Sequence, residues 1–480
     1  RFGSSHAGSS PYFAQPCWSG KLESESRQIV LSPLTIMESA PLAKSENVFC
    51  KKYDDAADSR NLESTASSQQ SERKATSLHI AFNLISCGLG SGVFTLPWST
   101  AGASIVPALV TVAVVLVLNA WTISILVEAA ERHQTFDLGS LLARLPGRLG
   151  QVSQYACNIV LWLTMFLCLV GYIIVMVDCL QTSAPQNLVG AGPMNPHRTL
   201  YVMFASACVL PLCFLDQRRL AFTSILAVVA NANIFSFLLA LYTMEEMEGS
   251  RPPVCYFGLA KGSVAMVSAM MQVVVIQMCA LPMYGELENR SPAKFNQIVV
   301  VSFGILMLLC CGFSVAGYAT FGSNVNSNIL VNLPNTQWGY VSRLAAATAV
   351  AAVFPLILGA MVAPLTNSQS FGSYYNGNPQ TASGFTICLI VLVVMGTAVS
   401  VDHLGFLNVV NGAISMGAFV ALAPSLVGLY LLGPKSSNLY WRAAMFALIV
   451  GGLGMSALGL VLTDNFSPEL RSACVWPQLA

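Results

Sequence analysis

Beyond residue 76, the chain consists of long apolar runs separated by short polar segments. A run of about 20 apolar residues is long enough to cross the hydrocarbon core of a bilayer as a helix. Eleven runs reach or approach this length, so the pattern predicts an all-α integral membrane protein with about eleven transmembrane helices. We number the predicted spans one to eleven in chain order: 77–101, 104–129, 151–181, 199–215, 221–244, 263–287, 295–320, 339–365, 382–401, 404–432 and 441–463.

The composition agrees with a chain that lies mostly in lipid. Hydrophobic residues make up 55% of the sequence and charged residues only 9%, whereas a soluble domain has about 25% charged residues. The net charge of +1 argues against a polyanionic partner such as nucleic acid. No C-x-x-C or Cys/His pattern indicates a metal site, and no cofactor is expected. The expected surroundings are the lipid bilayer, and protein partners stay open.

The two ends of the chain differ from the apolar region. Residues 1–76 are rich in Ser and mixed in charge, a composition that predicts a disordered cytosolic N-terminal tail. Residues 77–464 then form the membrane domain, and residues 465–480 form a short external C-terminal tail.

The distribution of Lys and Arg predicts the orientation. Eleven spans place the termini on opposite sides, and cytoplasmic loops carry an excess of Lys and Arg. With the N-terminus inside, eleven such residues flank the cytosolic ends of the spans and five flank the other ends. The C-terminus is therefore expected to be external or lumenal, in a plasma membrane or a vacuolar or lysosomal membrane. On that side, a disulfide between Cys179 and Cys255 is left open.

Span one is interrupted at its centre by Gly88-Leu89-Gly90-Ser91-Gly92. Each glycine costs a helix about 1 kcal/mol relative to alanine, and non-helical backbone at this depth is tolerated only where it lines a cavity or is buried in protein. The freed N–H groups can bind an anion such as a carboxylate. Close helix packing through small residues is the alternative, but these glycines alternate instead of recurring every four residues.

Span six also contains a helix-breaking residue. Pro282 removes a backbone donor and disrupts the preceding turn, which predicts a break near Cys279-Ala280-Leu281. Interruptions at corresponding places in two halves of a membrane protein indicate a solute-binding site. The two breaks together therefore predict such a site between spans one and six.

Several groups of residues, spread from span one to span ten, carry a resemblance in their order and spacing. They are Phe82-Asn83 with Gly90-Ser91-Gly92-Val93 and Leu96-Pro97, Arg218-Arg219 with Phe222-Thr223-Ser224, Leu281-Pro282-Met283-Tyr284-Gly285-Glu286-Leu287, Gly317-Tyr318-Ala319-Thr320-Phe321-Gly322, Phe354-Pro355-Leu356, and Gly412-Ala413 with Pro424. On these residues the chain resembles the amino acid/auxin permease family over about 77–464.

The resemblance implies a LeuT-like fold, in which two inverted five-helix repeats are followed by an eleventh helix and helices one and six are broken. Repeat one would cover about 77–245, repeat two about 263–432, and helix eleven about 441–463. It also implies a secondary active transporter, not an enzyme, that moves small, neutral amino acids by alternating access. The alternatives are an amino-acid-sensing receptor that signals through the N-terminal tail and a sodium-coupled symporter.

The predicted site is built mainly from backbone. The solute carboxylate is expected against the N–H groups of Gly90, Ser91 and Gly92, within the break that begins at Gly88 and Leu89. The ammonium is expected at the carbonyls of Met278, Cys279 and Ala280. Selectivity is assigned to bulky side chains, each of which also fits plain packing or lipid contact: Trp162, Met165, Met278 and Phe354.

The residues expected to bind sodium are incomplete. Sodium-coupled members of the family resemble one another in having an Asn where Ser86 aligns, together with a hydroxyl residue shortly before the proline that matches Pro355. Here residues 351–354 read Ala-Ala-Val-Phe, and one hydroxyl is a poor site for a hard cation. Transport coupled to protons, or uncoupled, is therefore expected, unless Thr348 supplies the missing oxygen.

Proton coupling usually requires a titratable group in or near the path. Glu286, at the end of span six, is the first candidate. Its alternative role is that of an interfacial anion paired with Arg290, four residues later.

Overall fold

The computed structural model describes residues 75–184, 195–214, 223–248, 252–258, 261–366, 379–462 and 474–477. The predicted N-terminal tail and most of the predicted C-terminal tail lie outside these residues. The division into a tail, two repeats and an eleventh helix stays a prediction.

A helix, or a short series of helices, occupies each predicted span. Span one comprises half 1a (Ser77–Gly88) and half 1b (the 3₁₀ turn Ser91–Thr95 with helix Leu96–Ala103), and span six comprises half 6a (Gly262–Val274) and half 6b (Gln277–Glu286). The other spans are Ile105–His133, Arg148–Ser183, Pro196–Val209 with Leu210–Phe214, Thr223–Glu248, Pro292–Phe321, Gln337–Thr366, Pro379–Ser400, Leu404–Ser415 with the π turn Met416–Leu422 and Ala423–Tyr430, and Leu439–Val461. Connecting segments include Leu138–Ala143, Gly322–Asn324, Ile329–Asn332 and Gly433–Ser437.

The lengths and compositions of these helices suit a membrane. Among the described residues, nine helices are individually long and apolar enough to cross one. Span one reaches the required length as two halves bent by 43°, and span five contains a shorter apolar stretch, Val228–Met244. The prediction of an all-α membrane protein is confirmed.

The break in span one lies where the sequence predicts it, but the break in span six does not. Half 1a ends at Gly88, and Leu89 and Gly90 are non-helical. In span six the non-helical residues are Val275 and Ile276, so the position predicted from Pro282 is wrong and Pro282 lies inside half 6b. The physical reason is that half 6b accommodates Pro282, whose missing N–H leaves only the Met278 carbonyl without its helical donor.

Two short strands pair outside the helical bundle. Strand β1 (Cys255–Gly258) runs antiparallel to β2 (Cys474–Pro477), and a disulfide joins Cys255 to Cys474 across 219 residues of sequence. The open pairing of Cys255 with Cys179 is therefore excluded, since the Cys179 thiol is free and buried. We call β1, β2 and this disulfide the clasp.

The clasp is hydrogen-bonded to residues near the ends of spans one and seven. The Ser104 hydroxyl, next to the end of half 1b, both donates to the Gly258 carbonyl and accepts from the Gly258 N–H at 3.0 Å. The Cys255 N–H donates to the Tyr318 hydroxyl of span seven at 3.0 Å. We call this side of the bundle the clasp face. Spans two and six run from it and end on the opposite face, at His133 and Glu286.

Half 6a is the centre of the packing. It lies against half 1b, span two and span ten. Gly412 of span ten is so close to the Ser268 carbonyl of half 6a that any side chain there would clash with backbone. This contact explains why the Gly412-Ala413 motif carries a glycine.

Candidate functional site

The break in span one exposes backbone donors. The first helical hydrogen bond after the break runs from the Val93 N–H to the Gly90 carbonyl at 3.2 Å. Among the described residues, none accepts from the N–H groups of Gly90, Ser91 or Gly92, as the geometry of a helix start dictates. On the other side of the break, the Asn231 side-chain amide of span five donates to the Leu89 carbonyl at 2.9 Å. The break is thus held open by a side chain from another span.

The two breaks lie directly beside each other. A methyl group added to Gly92 would lie 3.0 Å from Val273 Cγ2 and 3.5 Å from Val273 Cα, at the end of half 6a. A methyl group added to Gly90 would meet nothing within 4 Å. The start of half 1b therefore packs tightly on half 6a at Gly92 and faces open space at Gly90.

The free carbonyls of span six differ from those predicted. Half 6a ends at Val274, so its last carbonyls, from Met271 to Val274, have no helical donor. Cys279 and Ala280 lie inside half 6b, where their N–H groups donate to the Ile276 carbonyl at 2.9 Å. Of the three predicted carbonyls, only that of Met278 lacks a helical donor, because the residue four positions later is Pro282.

A cavity of about 30 Å³ lies on the opposite-face side of the breaks. It is large enough for about one water molecule. Its wall combines span three, half 6b and the segment after span two: Asp137, Leu138, Gly139, Cys157, Asn158, Leu161, Met165, Met278 and Cys279. The structure thus brings together three predicted site residues, Met165, Met278 and Cys279. The cavity also has one carboxylate and one amide, and the Asn158 Oδ1 atom has no described hydrogen-bond partner.

The other eight predicted binding residues do not line this cavity: Gly88, Leu89, Gly90, Ser91, Gly92, Trp162, Ala280 and Phe354. The Trp162 side chain is 38% exposed and stacks on Phe166 with ring centroids 6.1 Å apart. Phe354 is completely buried within span eight. The roles of Trp162 and Phe354 in selectivity stay predictions.

The candidate coupling residues differ in their surroundings. Ser86 Oγ is buried, with no described hydrogen-bond partner. Thr348 is exposed, and its hydroxyl donates to the Leu344 carbonyl at 2.7 Å. Glu286 is exposed at the end of half 6b, ten residues and roughly 15 Å along the helix from the break. No group of three or more His, Cys, Asp or Glu side chains in the described part of the chain is arranged to hold a metal ion.

A polar network behind the break in span six escaped the sequence analysis. Gln277, the first residue of half 6b, is fully buried. Its amide donates to Asn119 Oδ1 at 2.6 Å and to Thr122 Oγ1 at 3.1 Å on span two. The available signal was the presence of amide side chains within apolar runs, where polar groups are costly.

The comparison with protein families identifies the family to which the chain belongs. Residues 73–463 match the family described as transmembrane amino acid transporter protein. The chain belongs to this family. The predicted resemblance to amino acid permeases is confirmed.

Individual relatives are distant but extend over most of the chain. A Danio rerio protein named "Putative sodium-coupled neutral amino acid transporter 11" is 23% identical over 81% of this chain and 86% of its own length. Amino acid transporter AVT6E of Arabidopsis thaliana is 23% identical over 82% of this chain and 83% of its own length. Vacuolar amino acid transporter 2 of Saccharomyces cerevisiae is 22% identical, with 76% and 78% covered.

A solved structure supports the fold. The Eremococcus coleocola manganese transporter, crystallised with an aromatic bis-isothiourea compound, is similar with a TM-score of 0.50 and 12% identity, covering 82% of this chain and 89% of that one. At this identity the similarity concerns the fold alone. It confirms the predicted LeuT-like fold.

Proposed function

We propose that this chain is a secondary active transporter that moves small neutral amino acids by alternating access, coupled to protons or uncoupled. The observation that carries the proposal is the meeting of the two breaks at Gly92 and Val273. Free N–H groups of one helix and free carbonyls of another lie side by side there. A zwitterionic solute has one group for each set.

The arrangement suggests how the solute is oriented. Its carboxylate would accept from the N–H groups of Gly90, Ser91 and Gly92, at the positive end of half 1b. Its ammonium would donate to the carbonyls at the end of half 6a, between Met271 and Val274. The open space at Gly90 leaves room for the carboxylate to approach the backbone.

The lining of the small cavity between the breaks and the opposite face, which is separate from the proposed binding groups, favours a neutral solute on that path. Leu161, Met165 and Met278 present apolar surface, and the single lining carboxylate, Asp137, caps the next helix by accepting from the Ser140 N–H at 2.8 Å. No Lys or Arg is among the residues that line the cavity. A charged side chain on the solute would therefore lose its hydration without gaining a full counter-charge, which is costly.

Proton coupling, or no coupling, is supported by the placement of the hydroxyl groups. A hard cation prefers several oxygen ligands. Thr348, the one residue expected to complete a site with Ser86, is exposed and donates its hydroxyl within its own helix. The Glu286 carboxylate stays the first candidate for proton transfer.

The clasp supports the proposed orientation. Disulfides persist in oxidising compartments and are rare in the cytosol. The Cys255–Cys474 disulfide thus favours an external or lumenal clasp face and a cytosolic N-terminus. One relative is named as a vacuolar transporter, and we propose a plasma membrane or a vacuolar or lysosomal membrane.

The decisive experiment is uptake of a panel of labelled neutral amino acids into proteoliposomes, with proton and sodium gradients imposed separately. The proposal predicts accumulation that a proton gradient drives, or equilibration without a gradient, and indifference to sodium. The Glu286→Gln variant is the test of the coupling residue, since full retention of proton-driven uptake would remove Glu286 from that role. Saturable binding with no uptake would overturn transport and favour the receptor that signals through its N-terminal tail.

A sodium symporter is the second candidate, and one observation favours it. The buried hydroxyl of Ser86 has no described partner, so it is available to an ion. Sodium-driven uptake that is lost in Ser86→Ala and retained in Thr348→Ala would establish this candidate and overturn proton coupling.

A further inference from the structure

Glu131, near the end of span two, joins two residues from the end of span six. The Tyr284 hydroxyl of half 6b donates to Glu131 Oε2 at 2.8 Å. Arg290, in the segment that follows half 6b, places its Nε 3.4 Å from the same oxygen. One carboxylate oxygen therefore holds both half 6b and the segment beyond it.

The segment after span two adds further contacts to the same residues. The Arg290 guanidinium lies 4.3 Å above the centre of the Phe136 ring, and its Nη2 donates to Gln134 Oε1 at 2.7 Å. The Phe136 ring lies 6.1 Å from the Tyr284 ring. Residues 134–136 thus contact half 6b through the rings of Phe136 and Tyr284, and they contact the segment after it through a hydrogen bond and a cation–π contact from Arg290.

The same two elements, the segment after span two and half 6b, both contribute to the wall of the cavity. Asp137, Leu138 and Gly139 directly follow Phe136, and Met278 and Cys279 belong to half 6b. Any movement of half 6b away from span two would separate these parts of the wall. The contacts of Glu131 lie between the cavity and the opposite face, where spans two and six end.

We propose that Glu131, Tyr284 and Arg290 form a latch that closes the cavity toward the opposite face and opens to release the solute there. The inference rests on the proposed transport function and identifies the gate of the same site. Glu131 and Arg290 are positioning residues, because they act on the cavity through half 6b and the segment around Phe136.

The exposure of the latch suits a contact that must break in every cycle. The side chains of Glu131 and Arg290 are each about one-third exposed, at 33% and 32%, so solvent screens their attraction and opening costs little. Tyr284 is completely buried, and buried polar groups need a partner. The hydroxyl of Tyr284 therefore favours the closed state, while water can solvate the ion pair when it opens.

The same helix supplies a matched control. Glu128, one turn earlier, pairs with Arg132 at 3.2 Å and with Lys435, beyond span ten, at 2.6 Å. It is also a glutamate near the same face, but its partners do not belong to half 6b. If the cavity opened in response to any loss of negative charge at this face, substitution of either glutamate would open it. If the latch keeps the cavity closed, only substitution of Glu131 opens it.

The test uses Cys279, a free cysteine in the cavity wall. Purified full-length protein in detergent is labelled with a hydrophilic maleimide, and modification of Cys279 is followed over time by peptide mass spectrometry. Loss of one hydrogen bond to a charged group should raise the labelling rate about tenfold in Glu131→Gln and Tyr284→Phe. Glu128→Gln should stay within about twofold of the unmodified protein. Cys310, buried in span seven, serves as the internal reference.

A second measurement varies the salt concentration. Raising the salt concentration from 0.1 M to 1 M shortens the screening length from about 10 Å to about 3 Å, which should speed Cys279 labelling in the unmodified protein but not in Glu131→Gln. Unchanged labelling in Tyr284→Phe and at high salt, or an equal increase in Glu128→Gln, would overturn the latch. Labelling does not depend on uptake, so a protein that fails the transport assay can still show the latch, and a transporter can still lack it.

Discussion

The two faces of the bundle are held together by different kinds of contact. On the clasp face, a disulfide joins β1 to β2, and Arg198 and Arg343 are buried, with 3% and 1% exposure. On the opposite face, the ion pairs of Glu128 and Glu131 involve side chains that are 27% to 51% exposed. Covalent and buried contacts resist opening, whereas exposed ion pairs exchange readily with water. We infer from this comparison that the opposite face opens more readily than the clasp face.

The buried arginines show how the clasp face is stabilised. Arg198 of span four donates to the Ala398 and Val401 carbonyls at the end of span nine, at 2.8 and 2.9 Å. Arg343 of span eight donates to the carbonyls of Leu330 and Leu333, which belong to the segment between spans seven and eight. Each arginine satisfies carbonyls that a helix end leaves without donors. These loops are thereby fixed from the interior of the bundle.

The largest effect is expected from Arg343→Met. The change leaves two carbonyls and the side chain of Asn335, which accepts from Arg343 at 2.8 Å, without their donor. Each unsatisfied buried group costs about 1–3 kcal/mol, so the free energy of unfolding should fall by about 4 kcal/mol. Thermal unfolding followed by the loss of monodisperse protein measures this. Arg442→Met, at an exposed arginine, is the control and should change little; equal losses in both variants would contradict a special role for the clasp face.

A smaller loss is expected from Cys474→Ser. Removal of a native disulfide typically costs a few kcal/mol, and here we expect about 3 kcal/mol, with no change in the labelling rate of Cys279. Reducing agent should lower the stability of the unmodified protein to that of the variant. Cys208→Ser should have little effect, because Cys208 is free and exposed. A faster reaction of Cys279 in Cys474→Ser would show that the clasp controls the cavity, and the division between a rigid and a mobile face would fail.

The third prediction concerns the contact between half 1b and half 6a at Gly92 and Val273, beside the breaks. Gly92→Ala places a methyl group 3.0 Å from Val273 Cγ2, and such overpacking costs about 1–3 kcal/mol. Gly90→Ala enters open space at a backbone φ of −77°, which alanine tolerates. Gly92→Ala should therefore lower the unfolding temperature, whereas Gly90→Ala should leave it unchanged and raise KM for uptake. An unfolding temperature that falls equally in both would show that the break is not open at Gly90.

The sequence predicts the spans well because their cause is local. A helix that crosses lipid needs its own apolar residues, so every span is visible in the chain itself. The glycines at 88, 90 and 92 likewise place the first break correctly. The second break was misplaced because Pro282, the local signal of a break, is accommodated inside half 6b, whereas Val275 and Ile276 carry no local signal that distinguishes them from apolar helical residues.

The contacts that distinguish the two faces could not be predicted in the same way. The partner of Cys255 lies 219 residues away, in a segment with no apolar run to fix its position. Glu131 is one of several charged residues near a span end, and most such residues are simply solvated. Only the folded chain shows that Tyr284 and Arg290 meet at Glu131 and that the next residues line the cavity.

The smallest effect is expected from Glu128→Gln, on the mobile face. Its ion pairs with Arg132 and Lys435 are partly exposed, and such pairs contribute about 0.2–1 kcal/mol. Arg132 also donates to the Leu432 carbonyl at 2.5 Å, so the end of span ten stays attached when Glu128 loses its charge. We expect a loss below about 1 kcal/mol, measurable as a small fall in unfolding temperature that disappears at 1 M salt. A loss as large as that of Cys474→Ser, persisting at high salt, would mean that both faces are held with similar strength, and any difference in how readily they open would need another cause.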